Sequence, residues 1–374
     1  MSDPVNQKHT DIVVIGAGPA GLATAIAART AGFKVLLADH AIPPIDKACG
    51  EGIMPDGLAA LAALGVTVPA EKAYPFRGIR FVEGTTSVDA VFPKGVGYGV
   101  RRTVLHDLLT QKATEVGVEM RWGAHVSEIA SNQVTIDGLP VSCQWIVGAD
   151  GQASIVRQKI GIGRSHSEQR RFGFRQHYAV RPWTDCVEVY WSDQGQVYVT
   201  PVAQNEVCVA LITADPHFRL NEIPSAFPEL ASRLAGALES TRPQGAITMT
   251  RRLDSVFEGN VALVGEASGS VDAITGEGMS LGFQQALSLV NAMRSGSLQP
   301  YDEAHREIGK NPRRMAKLML MLGERPWLRH RALRALSSQP DLFAQMLSVH
   351  VGESRVRDFG IERALSFGWS MLTA

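Results

Sequence analysis

Gly16, Gly18, Gly21 and Asp39 have the types and spacing to hold a dinucleotide. The three glycines form a G-x-G-x-x-G turn, completed by Ala17, Pro19 and Ala20. Gly16 permits a tight turn, Gly18 lets the backbone approach a pyrophosphate, and Gly21 lets the next helix pack close to the strand. That helix offers free N–H groups and a positive dipole end to phosphates. Asp39 puts a carboxylate where ribose hydroxyls would lie. The apolar run Ile12 to Ile15 predicts a buried parallel strand. A helix over 22–31 stopping at Gly32 and a second strand over 34–39 complete the unit. An adenine dinucleotide is its expected ligand, and the turn alone does not choose between nicotinamide and flavin.

Composition narrows the class. The chain has 374 residues, 45% hydrophobic and 20% charged, enough for about two domains. Its 37 basic residues equal its 37 acidic ones, which argues against a nucleic-acid partner. Residues 1–10 are polar, without the apolar core of a signal peptide. No uncharged run is long enough to span a membrane. Cys49, Cys143, Cys186 and Cys208 lack CxxC spacing, which argues against a structural metal or disulfide framework. A cytoplasmic location is therefore expected.

The elements fall into two groups. The loop over 41–52 is broken by prolines and glycines, and helices are expected over 55–64 and from Arg102 onward. Strands are expected over 118–122 and 145–148, the latter ending in Gly148-Ala-Asp150-Gly151. From about 165 to 255 β-formers dominate and predict an antiparallel sheet, with a helix over 224–239 against it. A buried strand over 261–265 then enters Gly265-Glu266-Ala-Ser-Gly269 and Gly276-Glu277-Gly278-Met279, ahead of a helix over 278–293. The remainder reads as helical, broken at Pro312, Pro326 and Pro340, with Asn311 and Pro312 as N-cap and first helical position. The expected fold is α/β: a Rossmann-like dinucleotide domain of the glutathione-reductase type (10–74, 99–164 and 256–300), interrupted by an antiparallel β-sheet substrate domain (75–98 and 165–255), with a helical C-terminal region (301–374). Three Gly-rich strand ends would converge on one crevice and suit a long ligand.

Together the motifs at Gly16–Gly21, Gly148–Arg157 and Gly265–Met279 resemble the signature set of FAD-dependent oxidoreductases related to the geranylgeranyl reductases and the aromatic-ring hydroxylases. The resemblance covers most of residues 10–295. It implies that Gly16, Gly18 and Gly21 cradle the FAD pyrophosphate and Asp39 the adenosine ribose. By the same resemblance Arg102 would lie near the cofactor, the Val126 backbone would meet adenine, and Asp150 with Gly151 would support the crevice. Gly265 and Glu266 would reach the pyrophosphate and ribitol. Gly276, Gly278 and Met279 would bring a helix N-terminus to the flavin's pyrimidine edge, where its dipole favours negative charge. Three positions depart from the family pattern: Glu266 replaces an Asp, Ala273 a Pro, and Gly269 the His of the hydroxylase branch.

The reaction is less legible, because a flavin carries the redox chemistry itself. Only one fingerprint of the Gly16 type is present, so the electron donor is expected to be a transient NAD(P)H or a partner protein. Cys49, in Lys47-Ala-Cys49-Gly50-Glu51, resembles the cysteine-glycine loop that lies beside the flavin ring in geranylgeranyl reductases. Gly50 would allow close approach to the ring. Cys49 would donate a proton or shape the substrate face; otherwise it is a packed thiol and Glu51 a solvated loop acid. Tyr198 and Pro201 resemble the family's strand over the active site, or are sheet packing. Arg170, Arg171, Arg175 and His177 would meet a nicotinamide phosphate, or lie on a solvated sheet face. Arg313, Arg314, Lys317, Arg325, Arg329, Arg331 and Arg334 surround a Met/Leu-rich helix that would touch a membrane surface or lipid-like substrate, or pack on the flavin domain with a basic outer face. The leading expectation is NAD(P)H-dependent hydroxylation of a small hydrophobic substrate through a flavin C4a-peroxide. The alternatives are reduction of a carbon–carbon double bond and a non-catalytic flavin carrier.

Overall fold

The computed structural model describes residues 8–162, 165–167 and 170–354. Most of the polar N-terminal stretch and the last part of the expected helical region therefore lie outside the described residues. The fold is built on two eight-stranded sheets. In the first, the strand Lys8–Ile15 runs parallel to Leu139–Gly148 on one side and Val35–Asp39 on the other. Glu119–Trp122 and Val261–Leu263 extend it in parallel at either flank. Ile12, Val13 and Val14 are fully buried, since helices cover one face and an antiparallel hairpin and loops the other. Burying each such side chain stabilises the fold by about 1.5–3 kcal/mol. Gly21 is obligatory here: a Cβ would sit 1.8 Å from the Gly16 oxygen, so the helix Pro19–Thr30 could not pack against the strand. Gly16 has φ +103°, and a Cβ would meet the Ala149 oxygen at 2.5 Å.

The second sheet joins Arg171–Ala179, Glu206–Thr213, Gly195–Ala203 and Cys186–Ser192 in antiparallel order. The hairpin Gly78–Glu83 and Thr86–Val91 is added through a parallel pairing to Cys186–Ser192. Both faces are covered. Tyr190, Val197, Val199, Val209 and Leu211 pack with Ile223 and Leu230, while Val189, Trp191, Tyr198, Ala210 and Ile212 face the C-terminal helices. Double burial explains why these strands read as apolar runs rather than a clean alternation.

Several expected boundaries move. The helix expected over 224–239 is two short pieces, Ile223–Ala226 and Pro228–Leu234, followed by a strand, because Pro228 interrupts the backbone ladder. The helix carrying Pro312 begins at Lys310, so Pro312 occupies its first turn, where the missing N–H costs nothing, and Asn311 is not its N-cap. Pro326 and Pro340 each open a new helix, Pro326–Ser338 and Pro340–His350. These three helices lie over the second sheet rather than on the flavin domain, because their apolar faces pack against Phe81, Val88, Val189 and Trp191.

Candidate active site

One cavity of about 780 Å³ runs from the carboxyl ends of the first sheet to the C-terminal helices. Gly16, Gly18, Pro19, Ala20, Asp39, Val126, Asp150, Gly265 and Glu266 line its first part. Cys49, Gly50, Arg102, Gly276, Gly278 and Met279 line its waist. Ala17 and Gly21 stand behind the wall as buried supports. The Ala17 N–H donates to Asp39 Oδ2 at 2.6 Å and the Ala41 N–H to Oδ1 at 2.8 Å, which fixes the carboxylate at the cavity edge. Asp150 accepts from the Ser154 hydroxyl and from the Ile155 and Val156 N–H groups, so it also caps the helix Ile155–Lys159.

The lining fits a dinucleotide of the flavin type. Arg102 is buried, yet among the described residues its Nη1 has no hydrogen-bond partner. A Cβ on Gly18 would meet only Arg102 Nη2, at 4.0 Å, and one on Gly50 or Gly278 would meet nothing within 4 Å. These glycines therefore leave open space beside an unpaired cation, as an anionic cofactor requires. The helices Pro19–Thr30 and Gly278–Arg294 both begin at the cavity and point their free N–H groups toward it. Glu266 opens onto the same space, within the electrostatic reach of Lys47 and Arg102.

Behind the waist lies a polar network that the sequence did not reveal. Glu51 and His177 are almost fully buried. His177 Nε2 stands 2.6 Å from Glu51 Oε2, and the Arg102 N–H donates to Glu51 Oε1 at 2.8 Å. His177 Nδ1 lies 3.1 Å from Arg175 Nη1 and 2.9 Å from the Thr241 hydroxyl. A guanidinium only donates, so Nδ1 accepts and Nε2–H donates to Glu51. Arg175 reaches Asp46 at 2.5 Å, and Arg171 pairs with Asp272 at 2.9 Å.

Two expectations are corrected here. Glu51 is not a solvated loop acid, and Arg171, Arg175 and His177 do not lie on a solvated sheet face; of the four only Arg170 is exposed. The physical reason is the sheet's orientation. Arg175 is opposite Ala210, which faces the cavity, so these side chains meet the 46–51 loop of the first domain. Charged residues on one face of an otherwise apolar sheet were the available signal. The Cys49 Sγ accepts from the Glu51 N–H at 3.3 Å and lies 4.0 Å from Met279 Sδ. Enclosure pushes this thiol up, which keeps it protonated near neutral pH.

Beyond the waist the cavity becomes an apolar chamber. Ile79, Phe81 and Val189 come from the second sheet, and Met319, Leu322, Phe343 and Leu347 from the helices above it. Tyr198 lines it too, its hydroxyl donating to the Ile274 oxygen at 2.5 Å. Pro201 packs its carbonyl against Gly99 instead. His350 closes the chamber near Glu277, with its Nε2 3.4 Å from the carboxyl. Burial lowers His350 to about 4 and raises Glu277 well above the usual carboxyl range. Sequence reasoning named neither as a functional candidate.

The FAD-binding-domain family model matches residues 9–296. The chain belongs to this family. A menaquinone reductase of Mycolicibacterium smegmatis is 28% identical over 325 residues, 79% of each chain. A menaquinone reductase of Mycobacterium tuberculosis is 31% identical over 303 residues, 73% of this chain and 74% of its own. A tetracycline-pathway protein of Streptomyces rimosus, 12-dehydrotetracycline 5-monooxygenase/anhydrotetracycline 6-monooxygenase, is 27% identical across 87% of this chain and 72% of its own. Among solved structures, a flavoprotein/dehydrogenase from Cytophaga hutchinsonii superposes with TM-score 0.82 at 18% identity, covering 98% of both chains. The likeness extends through the C-terminal helices. The chain is an FAD-dependent oxidoreductase and an enzyme, which removes the non-catalytic reading. Among the described residues no helix is long and apolar enough to cross a membrane.

Proposed function

We propose that this FAD-dependent oxidoreductase hydroxylates an elongated, apolar substrate, with NAD(P)H as electron donor and molecular oxygen as co-substrate. The observation that carries the reading is the continuity of the cavity. Gly16 and Gly18 of the cradle and Phe81, Met319 and Phe343 of the chamber line one space, with Cys49 and Met279, 4.0 Å apart, also on its wall. FAD, when bound, supplies two-electron redox chemistry and oxygen activation at its ring. The side chains of this protein supply the rest. The backbone at Gly18 and the Arg102 guanidinium hold the anionic half of the cofactor. The Glu51–His177–Arg175 network fixes the Cys49 loop against the substrate sheet. The methionine, leucine and phenylalanine side chains of the chamber exclude water and orient the substrate. The Streptomyces monooxygenases, similar over most of the chain, support hydroxylation. The four free cysteines suit a reducing, cytoplasmic setting.

A second reading is reduction of a carbon–carbon double bond in the same chamber. Two observations favour it: the protonated Cys49 thiol at the waist, able to donate a proton, and the menaquinone reductases, whose named substrate carries an isoprenoid chain. One experiment separates the two. The FAD-loaded enzyme is reduced under argon and mixed with an isoprenoid quinone or a polycyclic phenol, first without and then with oxygen. Hydroxylation requires oxygen, consumed in proportion to product. Reoxidation of the flavin by the organic substrate alone, with two hydrogens added across one of its side-chain carbon–carbon double bonds rather than at the quinone oxygens, would replace the first reading with the second.

A further inference from the structure

The helices Lys310–Glu324 and Pro326–Ser338 divide two environments. Their inner side chains, among them Met315, Met319, Leu322 and Leu336, line the apolar chamber. Their outer sides are cationic. Residues 310–338 hold eight lysines and arginines and one acid, Glu324, in a chain whose charges otherwise balance. Arg329 is buried between Glu83 and Asp193, so it belongs to the packing. Arg314, Lys317, Arg325 and Arg334 are exposed, and among the described residues none of the four pairs with a carboxylate. Trp327, at the junction of the two helices, is 63% exposed. A large exposed aromatic among cations without carboxylate partners, on the outer side of an apolar chamber, is the composition of an interfacial helix.

We infer that these two helices form a docking surface for an anionic lipid bilayer. The four exposed cations supply attraction to anionic headgroups, and Trp327 supplies the apolar contact that acidic proteins do not require. A bilayer is therefore favoured over an acidic electron-donor protein.

The test uses the FAD-loaded full chain and sedimentation with vesicles of phosphatidylcholine, alone or with one-third phosphatidylglycerol. Binding is expected to the anionic vesicles only, and it should weaken steeply with added salt. Each neutralised cation should weaken binding about fivefold, so the triple variant Arg314→Gln, Lys317→Gln, Arg334→Gln should lose about a hundredfold. Trp327→Ala should also weaken binding but leave the salt dependence in place. A control variant, Lys72→Gln, Arg242→Gln, Arg294→Gln, removes the same charge from exposed positions elsewhere and should bind as the parent does. FAD content and melting temperature verify that each variant is folded. Absence of binding to anionic vesicles, equal binding to neutral ones, or equal losses in the triple and control variants would overturn the inference. So would a patch that binds no vesicle but governs reduction by an acidic redox protein. No arm reads turnover, so an error in the proposed reaction leaves this result intact.

Discussion

Substitutions at Glu51 test the buried network at the waist. Its carboxylate accepts from the Arg102 N–H at 2.8 Å and from His177 Nε2–H at 2.6 Å. Glu51→Ala leaves both donors buried without acceptors, at about 1–3 kcal/mol each, so a loss of about 2–6 kcal/mol is expected. Glu51→Gln keeps one acceptor oxygen and turns the other into an NH₂ donor. If the oxygen stays on Arg102, the amide N–H meets His177 Nε2–H. His177 cannot escape by changing tautomer, because Nδ1 faces the Arg175 guanidinium, which only donates. Glu51→Gln should therefore cost about 1–3 kcal/mol despite its near-identical shape. Glu51→Gly gives a further ordering. Glu51 has φ +60°, a left-handed conformation that costs a non-glycine residue about 1–2 kcal/mol. Offset by glycine's greater freedom in the unfolded chain, about 0.4–1 kcal/mol, Glu51→Gly should be more stable than Glu51→Ala by about 0.5–1 kcal/mol. Urea unfolding of the FAD-free protein gives the series without a contribution from cofactor binding. A Glu51→Gln variant as stable as the parent would refute the tautomer argument. Glu51→Ala matching or exceeding Glu51→Gly would refute the backbone argument.

Three other predictions follow from the structure. Gly18→Ala should change FAD-free stability by under about 1 kcal/mol, since its Cβ meets nothing closer than Arg102 Nη2 at 4.0 Å, yet it should weaken FAD binding about tenfold or more by filling the cradle. Isothermal titration of the FAD-free protein reads the affinity, and undiminished affinity would place the cofactor elsewhere. Asp56→Asn should stabilise the protein by about 1–3 kcal/mol at pH 8 and by nothing near pH 3. Burial raises this carboxyl to about 6 from 3.8, so its folded state favours the proton and its penalty grows as pH rises through that window; the same gain at both pH values would contradict it. The native thiols should alkylate at pH 7.5 about tenfold or more slowly than free cysteine, because burial pushes Cys49 up, Cys143 to about 12 and Cys186 to about 11; rapid labelling of Cys49 before unfolding would remove it as a proton donor.

Local patterns carried the cofactor half of this molecule into view. Ile12 to Ile15, the glycines at 16, 18 and 21, and Gly265 lie in runs whose periodicity and turn chemistry are complete within a few residues. The lining of the first half of the cavity follows from those runs. The waist could not be read this way. Glu51 and His177 are 126 residues apart, and their contact depends on how the second sheet turns toward the first. The strand Arg171–Ala179 gave the correct period but not what covered it. With polar groups at 171, 175 and 177 on one side, a solvent-facing surface was the ordinary expectation, and burial against Asp46, Glu51 and Asp272 reversed it. Met315, Met319 and Leu322 similarly stand on one face of a helix, which the sequence offered as core, membrane or substrate contact alike. Only the second sheet beneath them decides that this stripe encloses a chamber. The features that suit a dinucleotide are thus written locally, because every dinucleotide makes the same demands on backbone and charge. The lining of the apolar chamber is written across the boundary between the two sheets, where burial and orientation, rather than spacing, determine what each side chain can do.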